Sequence, residues 1–326
     1  MQSLGKKMLY LSRRDVASLG LSMPQIIARL EEMFVEKAAR RVEMPPKPAI
    51  HTNGDAFLHA MPAFIPKFDS AGMKWVGGYP ENYKRGLPYI TGLLVLNDTT
   101  TGVPYALMDC TWITAVRTAA TTAVTAKHLA LPRSDTLAVL GCGVQGRYNL
   151  EALSGIFPLA RVQAYDISTE IARRYAEDMA SRFDLKVDIS KTPRQAVDGA
   201  DIIVTAGPFL MSPRPVIAWE WIKPGALVCP LDLDSYVKPE VFTNSALVCT
   251  DDLGQFNHFR SGGLFQQCPE EISELCDVVA GKLAGRRSEH EVISAINIGL
   301  ALEDMAVAPL LYRAATERGF GLWLDL

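Results

Sequence analysis

The chain has 326 residues, of which 48% are hydrophobic and 21% charged, and its formal net charge is -3 at pH 7. This length provides for two domains, each with an apolar core of its own. The small net charge excludes a broad basic surface for nucleic acid or anionic lipid, and so favours small-molecule partners. The sequence has neither a signal peptide's apolar core after its basic first residues nor the roughly 18 to 20 apolar residues of a membrane span, so we expect a cytoplasmic protein.

The spacing of cysteines and histidines gives no indication of a metal site. The six cysteines form no C-x-x-C pair, and the five histidines form no H-E-x-x-H pattern. Most of the cysteines lie in apolar or mixed segments of the kind that bury reduced thiols. We therefore predict structural cysteines and no bound metal.

The first part of the chain, up to about residue 110, predicts a domain with a mostly antiparallel sheet. It opens with a strand at KMLYLS and a helix at MPQIIARLEEMFVEKAARR, in which apolar residues such as Ile26 and Leu30 line one face. The stretch that follows is rich in proline, glycine and short alternating strands, and turns such as Asn97-Asp98 join these strands.

A helix is predicted next, at TWITAVRTAATTAVTAKHLAL, residues 111–131. Its many small side chains permit close packing, and we expect it to connect two domains. Arg117 lies among alanines and a valine, away from any carboxylate that is near in sequence. A cation in such a setting needs an anionic partner from elsewhere.

Residues 136–252 alternate short apolar strands with amphipathic helices, which predicts a parallel sheet covered on both faces. Directly after the first strand, TLAVL, Gly141, Gly143 and Gly146 fit the pattern G-x-G-x-x-G and lead into a helix. They would permit a tight turn, a close approach of the backbone to a pyrophosphate, and close packing of helix on strand. The pattern predicts a Rossmann dinucleotide-binding domain.

Asp166 ends the second strand of this region, at the position where a carboxylate accepts hydrogen bonds from the adenosine ribose. A carboxylate there would repel a 2′-phosphate, and Ile167 and Ser168, rather than an arginine, follow it. NAD(H) is therefore favoured over NADP(H).

Several stretches resemble the ornithine cyclodeaminase/mu-crystallin family. They are AGMKWVGGYPENYKRGLPYITGLLVLNDTTTGVPYALMDCTWITAVRTAATTAVTAKHLA, then GCGVQG, HAMPAF, PLDLDSY and NIGLALEDMA, so the resemblance covers nearly the whole chain. It implies an α/β fold, with a Rossmann NAD-binding domain at 117–293 and an α/β substrate-binding and dimerisation domain at 1–116 plus 294–326. The last segment is interpreted as one long helical pattern that returns to the first domain. The resemblance also implies a homodimer that binds NAD(H) and acts on a small amino or imino acid.

In that family a lysine and an arginine meet the substrate, which implies this role for Lys74 and Arg117. A guanidinium suits the substrate α-carboxylate. Lys74 would join it in binding the carboxylate, or exchange a proton with the imine nitrogen. The alternatives are a solvated strand lysine for Lys74 and a purely structural ion pair for Arg117.

The family also places an aspartate after the fifth strand of the nucleotide domain, where it holds the substrate amine or activates water. Asp232 and Asp234 are both candidates; register against Lys238 and Glu240 favours Asp234, and loop capping is the alternative role. The predicted catalytic residues are thus Lys74, Arg117 and Asp234. Asp232 is placed in the predicted cofactor-binding set, which comprises Thr118, Gly141, Gly143, Val144, Gln145, Gly146, Asp166, Ile167, Thr205, Ala206, Gly207 and Asp232.

The sequence departs from the family pattern where the substrate side chain would lie. A second arginine that many members carry before the M-P segment has no match, and Lys47 is the nearest cation. Ornithine cyclodeaminase itself has a glutamate two residues before that segment, where this chain has His59. An imidazole does not hold an ammonium as a carboxylate does. Lys47, His59 and Met61, with Lys74 and Arg117, form the predicted substrate-binding set.

These features predict an NAD(H)-dependent imino-acid reductase or amino-acid dehydrogenase whose substrate has a small, neutral or acidic side chain. One alternative is an ornithine cyclodeaminase, which converts ornithine to proline and ammonia with bound NAD. The other is a non-enzymatic, mu-crystallin-like ligand binder, against which the joint presence of Lys74, Arg117 and Asp234 argues. The identity of the amino or imino acid stays open.

Overall fold

The computed structural model describes residues 4–326. Its strands are β1 (Lys7–Leu11), β2 (Ala49–His51), β3 (Phe57–Ile65), β4 (Ser70–Gly78), β5 (Ile90–Asn97), β6 (Pro104–Asp109), β7 (Thr136–Leu140), β8 (Arg161–Tyr165), β9 (Lys186–Ile189), β10 (Ile202–Thr205), β11 (Leu227–Pro230), β12 (Leu247–Thr250), β13 (Ser273–Glu274), β14 (Ile293–Ile296) and β15 (Leu322–Asp325). Its helices are α1 (Arg13–Ser18), α2 (Met23–Ala38), α3 (Thr111–Leu129), α4 (Val144–Ser154), α5 (Thr169–Phe183), α6 (Pro193–Val197), α7 (Pro239–Asn244), α8 (Leu253–Ser261), α9 (Leu275–Val279) and α10 (Ala301–Arg318). Short 3-10 helices occur at Pro66–Phe68, Pro80–Arg85 and Trp219–Trp221. The chain divides into a first unit, Met1–Arg117 with Gly299–Leu326, and a second unit, Thr118–Ile298.

The first unit is built on a seven-stranded sheet in the order β15-β1-β6-β5-β4-β3-β2. The strands from β2 to β6 are antiparallel neighbours, whereas β1 runs parallel to β6. Along β5, Leu94 and Leu96 are fully buried while Leu93 is exposed, the alternation of a sheet that has one face in a core. Helix α10 packs against β3, β4 and α2 to cover that face. The mostly antiparallel sheet predicted for this region is therefore present.

Helix α10 contains a proline, Pro309, in its interior. Proline has no backbone N–H, so the carbonyl of Met305, four residues earlier, loses its helical donor. The hydroxyl of Ser70, at the start of β4, donates to that carbonyl at 2.7 Å. Arg29 Nε, from α2, donates to the next carbonyl, that of Ala306, at 3.3 Å. The backbone group that Pro309 frees is thus satisfied from the sheet, which fixes α10 against β4.

The C-terminal region is not the single helical pattern that the sequence predicts. Ile293–Ile296 forms β14, which pairs with β11 and β12 in the sheet of the second unit, and β15 pairs with β1 after α10 ends. A short apolar run such as ISAINIG satisfies a strand and a helix equally well, so periodicity alone does not distinguish them. The boundary expected at 293/294 therefore lies at 298/299, and Arg117 belongs to the first unit rather than the second.

The second unit is built on an eight-stranded sheet in the order β13-β12-β14-β11-β10-β7-β8-β9, in which neighbouring strands run parallel. From β7 the chain first builds towards β9 and then returns to place β10 on the other side of β7. In sheets of this kind, ligands bind at the carboxyl ends of the strands where the order reverses. The predicted α/β fold with a Rossmann domain is confirmed.

Helix α3 contains the boundary between the two units, directly after Arg117. Two of its threonine hydroxyls donate to carbonyls four residues earlier, Thr122 to Thr118 at 3.3 Å and Thr125 to Thr121 at 2.8 Å. Neither α3 nor any other helix within residues 4–326 is long and apolar enough to cross a membrane.

The contact between Ser70 and α10 can be tested by Ser70→Ala, which leaves the buried Met305 carbonyl without its donor. We expect the free energy of unfolding in urea to fall by about 1 to 3 kcal/mol. Ser18→Ala, at an exposed position in α1, is the matched control and should change it by less than about 0.5 kcal/mol. Equal changes in the two variants would contradict the assigned role of Ser70.

Candidate active site

Lys74 lies in the middle of the first unit's sheet. On β4 it is paired with Met61 of β3 and Leu94 of β5, on the face that packs against α10, and its side chain is fully buried. Its Nζ lies 2.5 Å from Asp304 Oδ2. Burial and then the nearby Arg117 lower the pKa of Lys74, and Asp304 opposes them. The alternative of a solvated strand lysine is therefore wrong.

Arg117 is held by two carboxylates in the first turn of α10. Its Nη1 donates to Glu303 Oε2 at 2.7 Å, and its Nε lies 3.4 Å from Asp304 Oδ1. Both carboxyl side chains are fully buried, and Arg117 is only 6% exposed. Glu303 and Asp304 are the anionic partners expected for the isolated charge of Arg117. The ion pair considered for Arg117 is therefore present. Asp304 connects Arg117 to Lys74.

Glu303 and Asp304 were not among the predicted site residues, although the sequence carried a signal for them. They are adjacent acids in the otherwise apolar run NIGLALEDMAVAPLL. Acidic residues are favourable in the first turn of a helix, but two of them in a helix that is otherwise apolar need cationic partners when that helix is buried. Two adjacent acids within an apolar helix, in a chain that has isolated cations at Lys74 and Arg117, predict a buried cluster of ion pairs.

Gly299, just before α10, fixes two cations at once. Its carbonyl accepts a hydrogen bond from Lys47 Nζ at 3.0 Å, and Lys47 is only 6% exposed. Its φ is +84°, and a Cβ at this position would lie 2.5 Å from Arg117 Nη1. The guanidinium therefore packs directly on the glycine backbone. Lys47 and Arg117 therefore both lie against Gly299.

His59 and Met61 lie on the same face of β3. Met61 is the cross-strand partner of Lys74 on β4, so all three side chains are on one face of the sheet. The His59 ring stacks on Phe57, with 4.3 Å between ring centroids. Burial, and then the positive charges of Lys47, His51 and Lys74, lower the pKa of His59 to about 3. His59 is thus neutral at pH 7. All five predicted substrate-binding residues are brought together in the first unit.

The predicted nucleotide loop has the geometry of a phosphate-binding turn. Gly141 has φ +106°, and a Cβ there would lie 2.6 Å from the carbonyl carbon of Ala206; a Cβ at Gly146 would lie 2.3 Å from the Gly141 oxygen. By contrast, a Cβ at Gly143 would meet no atom within 4 Å among the residues described. Gly143 begins α4, and in residues 4–326 no side chain caps that helix start. Val144, which is exposed, and Gln145 form the first turn, so their N–H groups suit an anion.

Asp166 lies beside this loop. Its Oδ2 accepts from the Cys142 N–H and its Oδ1 from the Ser168 N–H, each at 2.9 Å. A carboxylate has about four acceptor positions, so capacity for a ribose diol remains. Burial and then the Asp166 charge raise the pKa of the Cys142 thiol to about 12, so this cysteine is an unreactive part of the turn. The next residue, Ile167, is 95% exposed.

The remaining predicted cofactor residues lie at the ends of neighbouring strands or on α3. Thr205 Oγ1 donates to Asp232 Oδ1 at 2.7 Å, and the Gly207 N–H donates to Asp232 Oδ2 at 3.0 Å. Thr205 and Gly207 flank Ala206, whose carbonyl lies against Gly141. The structure therefore joins the ends of β7, β10 and β11. Thr118 is the first residue of the second unit, and its carbonyl accepts from Thr122 Oγ1 at 3.3 Å.

Asp232 and Asp234 have different surroundings. Asp232 is buried, and burial raises its pKa to about 7 against the effect of its two hydrogen bonds. Asp234 Oδ2 accepts from the Phe265 N–H at 2.7 Å, whereas its Oδ1 is buried and accepts no hydrogen bond from any group in residues 4–326. Leu233 between them adopts φ +63°, a left-handed conformation that is strained for leucine. The hydrogen bond from the Phe265 N–H is a loop-capping contact, the alternative role considered for Asp234. The Oδ1 atom of Asp234 can still accept a hydrogen bond.

Three potential metal ligands, Glu274, Cys276 and Asp277, lie together in the second unit. Glu274 already accepts from the Leu253 N–H at 2.8 Å, and Asp277 lies 3.7 Å from Lys282. The expectation that no metal is bound stays a prediction.

The chain matches the sequence model of the ornithine cyclodeaminase/mu-crystallin family over residues 6–319. The chain belongs to this family. It is 33% identical to an alanine dehydrogenase of Archaeoglobus fulgidus, over 96% of this chain and 97% of that protein. The structure is similar to that of Thermococcus litoralis Delta(1)-pyrroline-2-carboxylate reductase in complex with NADH and L-proline, with 30% identity, a TM-score of 0.86, and coverage of 97% and 99% of the two chains. It is also similar to an archaeal alanine dehydrogenase dimer with bound NAD, with 30% identity, a TM-score of 0.87, and coverage of 98% and 99%. The resemblance seen in the sequence is confirmed.

In this member of the ornithine cyclodeaminase/mu-crystallin family, Gly299→Ala should displace Arg117 from its carboxylates. Gly319→Ala is the matched control: Gly319 also has a positive φ, +71°, but a Cβ there would meet no described atom within 4 Å. The control should lower the free energy of unfolding by about 1 to 2 kcal/mol through backbone strain alone. Gly299→Ala should lower it by about 3 kcal/mol more, because a buried ion pair is broken. Similar losses in urea unfolding for both variants would count against the contact with Arg117.

Proposed function

We propose that the chain is an NAD(H)-dependent imino-acid reductase or amino-acid dehydrogenase that acts on a monocarboxylic substrate with a small, neutral side chain. The observation that carries the proposal is the buried cluster of Lys74 and Arg117 with Asp304 and Glu303, in a chain that also has a dinucleotide-binding loop. The relatives support it, since they include an alanine dehydrogenase and a reductase bound to NADH and L-proline.

The cations of the cluster suit an anionic substrate. Arg117 is only 6% exposed, and Lys74 is linked to it through Asp304. A guanidinium in this position suits the two oxygens of one α-carboxylate.

Each side chain has a distinct proposed role in the reaction. Arg117 binds the carboxylate through its guanidinium, with Gly299 and Glu303 fixing its position. Lys74 lies beside it and exchanges a proton with the substrate nitrogen, a role that suits a lysine whose pKa is lowered by burial. Asp234 is the carboxylate proposed to handle the substrate amine or water, and its buried Oδ1 supports this assignment.

The predicted cofactor, NAD(H), is supported by relatives that contain NAD or NADH. The chain's own residues fit it: Gly143 at the uncapped start of α4 for the pyrophosphate, and Asp166 for the adenosine ribose. When bound, the nicotinamide supplies or accepts the hydride at Cα of the substrate.

The runner-up function is ornithine cyclodeamination, which the family's name includes. The surroundings of His59 argue against it, because a neutral imidazole beside Lys47 does not compensate the second ammonium of a diamine. The same neutrality weakens the prediction of an acidic side chain, since His59 adds no cation for a second carboxylate. A purely ligand-binding role does not require a buried lysine such as Lys74, whose lowered pKa suits proton exchange.

A substrate panel tests this function. Purified protein is mixed with NADH and 2-oxo acids plus ammonia or methylamine, and separately with ornithine, and both NADH absorbance and ammonia release are followed. We expect net NADH oxidation with imines of small, neutral 2-oxo acids. Ammonia release from ornithine that exceeds every rate of imine reduction would instead establish the cyclodeaminase, and activity in neither assay would favour the binder.

We also propose that the protein is a homodimer formed through the outer face of the first unit's sheet. That face carries exposed apolar side chains on several strands; they are Ile50 (β2), Trp75 (β4), Leu93 (β5) and Leu322 (β15). Trp75 and Leu93 are cross-strand partners, so the apolar surface is continuous across the sheet centre. Continuous exposed apolar surface is typical of subunit interfaces, and an archaeal alanine dehydrogenase of similar fold is a dimer.

The dimer proposal predicts that Leu93→Asp yields a monomer in light scattering at micromolar concentration, because a charge would be buried without a partner. Ile171→Asp, on α5 of the second unit, is the control, since Ile171 is 44% exposed and Leu93 is 43% exposed. The control should leave the dimer intact. An unaltered protein that is monomeric under these conditions would overturn the proposal.

A cytoplasmic location is proposed as well. All six cysteines are free and five are buried, as expected for thiols in a reducing compartment.

A further inference from the structure

Asp304 contacts both of the cations assigned to the substrate. Its Oδ2 lies 2.5 Å from Lys74 Nζ, and its Oδ1 lies 3.4 Å from Arg117 Nε. All of Asp304 is buried, and neither oxygen accepts a further hydrogen bond from a group in residues 4–326. The whole capacity of this carboxylate is therefore directed at Lys74 and Arg117.

We propose that Asp304 is a positioning residue that keeps the buried Lys74 in its charged, proton-donating form and at the same time orients Arg117. The inference rests on the proposed function and deepens it, because it names the residue on which proton supply depends. Glu303, its neighbour in sequence, differs: it contacts Arg117 and not Lys74 in the ion pairs of this cluster.

The charged and titratable groups around Lys74 come from several elements. Arg117 on α3 opposes its positive charge, while Asp304 on α10 and Cys110, between β6 and α3, favour it. His59 on β3 also faces this lysine and is neutral at pH 7. Burial raises the pKa of Cys110 to about 11, so its thiol stays protonated near neutral pH. Asp304 is thus the group that favours the charged lysine most strongly against burial and Arg117.

In the reductive direction, NADH would supply a hydride, and thus two electrons, to Cα of the imine. The C=N double bond becomes a single bond, and the nitrogen takes a proton from the Lys74 ammonium. Lys74 is left neutral until it takes a proton from water. In the oxidative direction neutral Lys74 accepts the proton from the amine.

Asp304→Asn tests the proposal because it removes the negative charge while keeping the shape. The pKa of Lys74 should fall further, and an opposite charge at this distance changes a pKa by about one unit or more. A proton donor loses activity as pH rises through its pKa, so the alkaline limb of kcat/KM for imine reduction should move to lower pH by about one unit or more. For amine oxidation, the rising acid limb should move in the same direction.

Glu303→Gln is the matched control at the adjacent position. It should raise KM, because Arg117 is less well oriented, and leave the pH limbs in place, because Arg117 does not titrate. Asp304→Glu retains the charge on a longer side chain and should lower kcat without moving the limbs. All variants are measured with the fastest imine of the substrate panel, so the ionisation of the substrate is common to them.

Thermal unfolding without substrate provides a readout that does not depend on activity. A lysine whose folded-state pKa is below its ordinary 10.5 binds protons better when unfolded, so stability rises with pH between the two values. Removing Asp304 lowers the folded-state pKa and extends this window downwards. From neutral to alkaline pH, the melting temperature of Asp304→Asn should therefore rise relative to that of Glu303→Gln.

The outcomes separate the two proposals. A shift of the limbs in Asp304→Asn alone supports the positioning role, and so does the rise in relative melting temperature. Unmoved limbs in an active Asp304→Asn protein, or equal shifts in Glu303→Gln, would overturn the role of Asp304 while leaving the reductase intact. If the unaltered protein reduces no imine, the proposed function fails, and an unchanged melting profile would then refute the control of Lys74 by Asp304 independently.

Discussion

Lys74 and Arg117 can be buried in the first unit only because two carboxylates are buried with them. An isolated ammonium or guanidinium in an apolar interior is strongly unfavourable, and the nearby anions offset much of that desolvation. Other features of the unit follow from this requirement. Helix α10 has to begin beside β4 and α3, Ser70 holds it there by its bond to the Met305 carbonyl, and Gly299 lacks the side chain that would displace Arg117.

The two units rely on different means of presenting polar groups. In the second unit the nucleotide loop uses backbone: glycines let the turn, the helix and the neighbouring strand approach closely, and Asp166 braces the loop through the Cys142 N–H. In the first unit the polar groups are side chains, and their placement depends on ion pairs from distant segments. The loop between Asp232 and Asp234 uses both backbone and side chains. The left-handed backbone at Leu233 separates Asp232, which lies among hydrogen-bond donors, from Asp234, whose Oδ1 has none among the described residues.

Much of this organisation was predictable because it depends on local signals. Strands of the second unit are short apolar runs between helices, and G-x-G-x-x-G requires glycine for steric reasons that any sequence must obey. The isolated charge of Arg117 correctly indicated a distant anion. The identity of that anion was not predictable from local pattern, since Glu303 lies 186 residues away in sequence and only the fold brings the two together. The strand at Ile293–Ile296 was missed because short apolar runs fit a helix and a strand equally, and only pairing with β11 and β12 decides between them.

The first unit is discontinuous in sequence, which imposes an order on its assembly during synthesis. The ribosome produces β4, the first half of α3 and the complete second unit before Gly299 emerges. Until then Lys74 and Arg117 have neither Asp304 nor Glu303, and the sheet face that α10 covers is open to water. A nascent chain in this state carries these cations beside exposed apolar surface, and the first unit can reach its native form only when α10 has left the ribosome. Release of α10 is thus the event that closes the core of the first unit, which the chain begins to build long before.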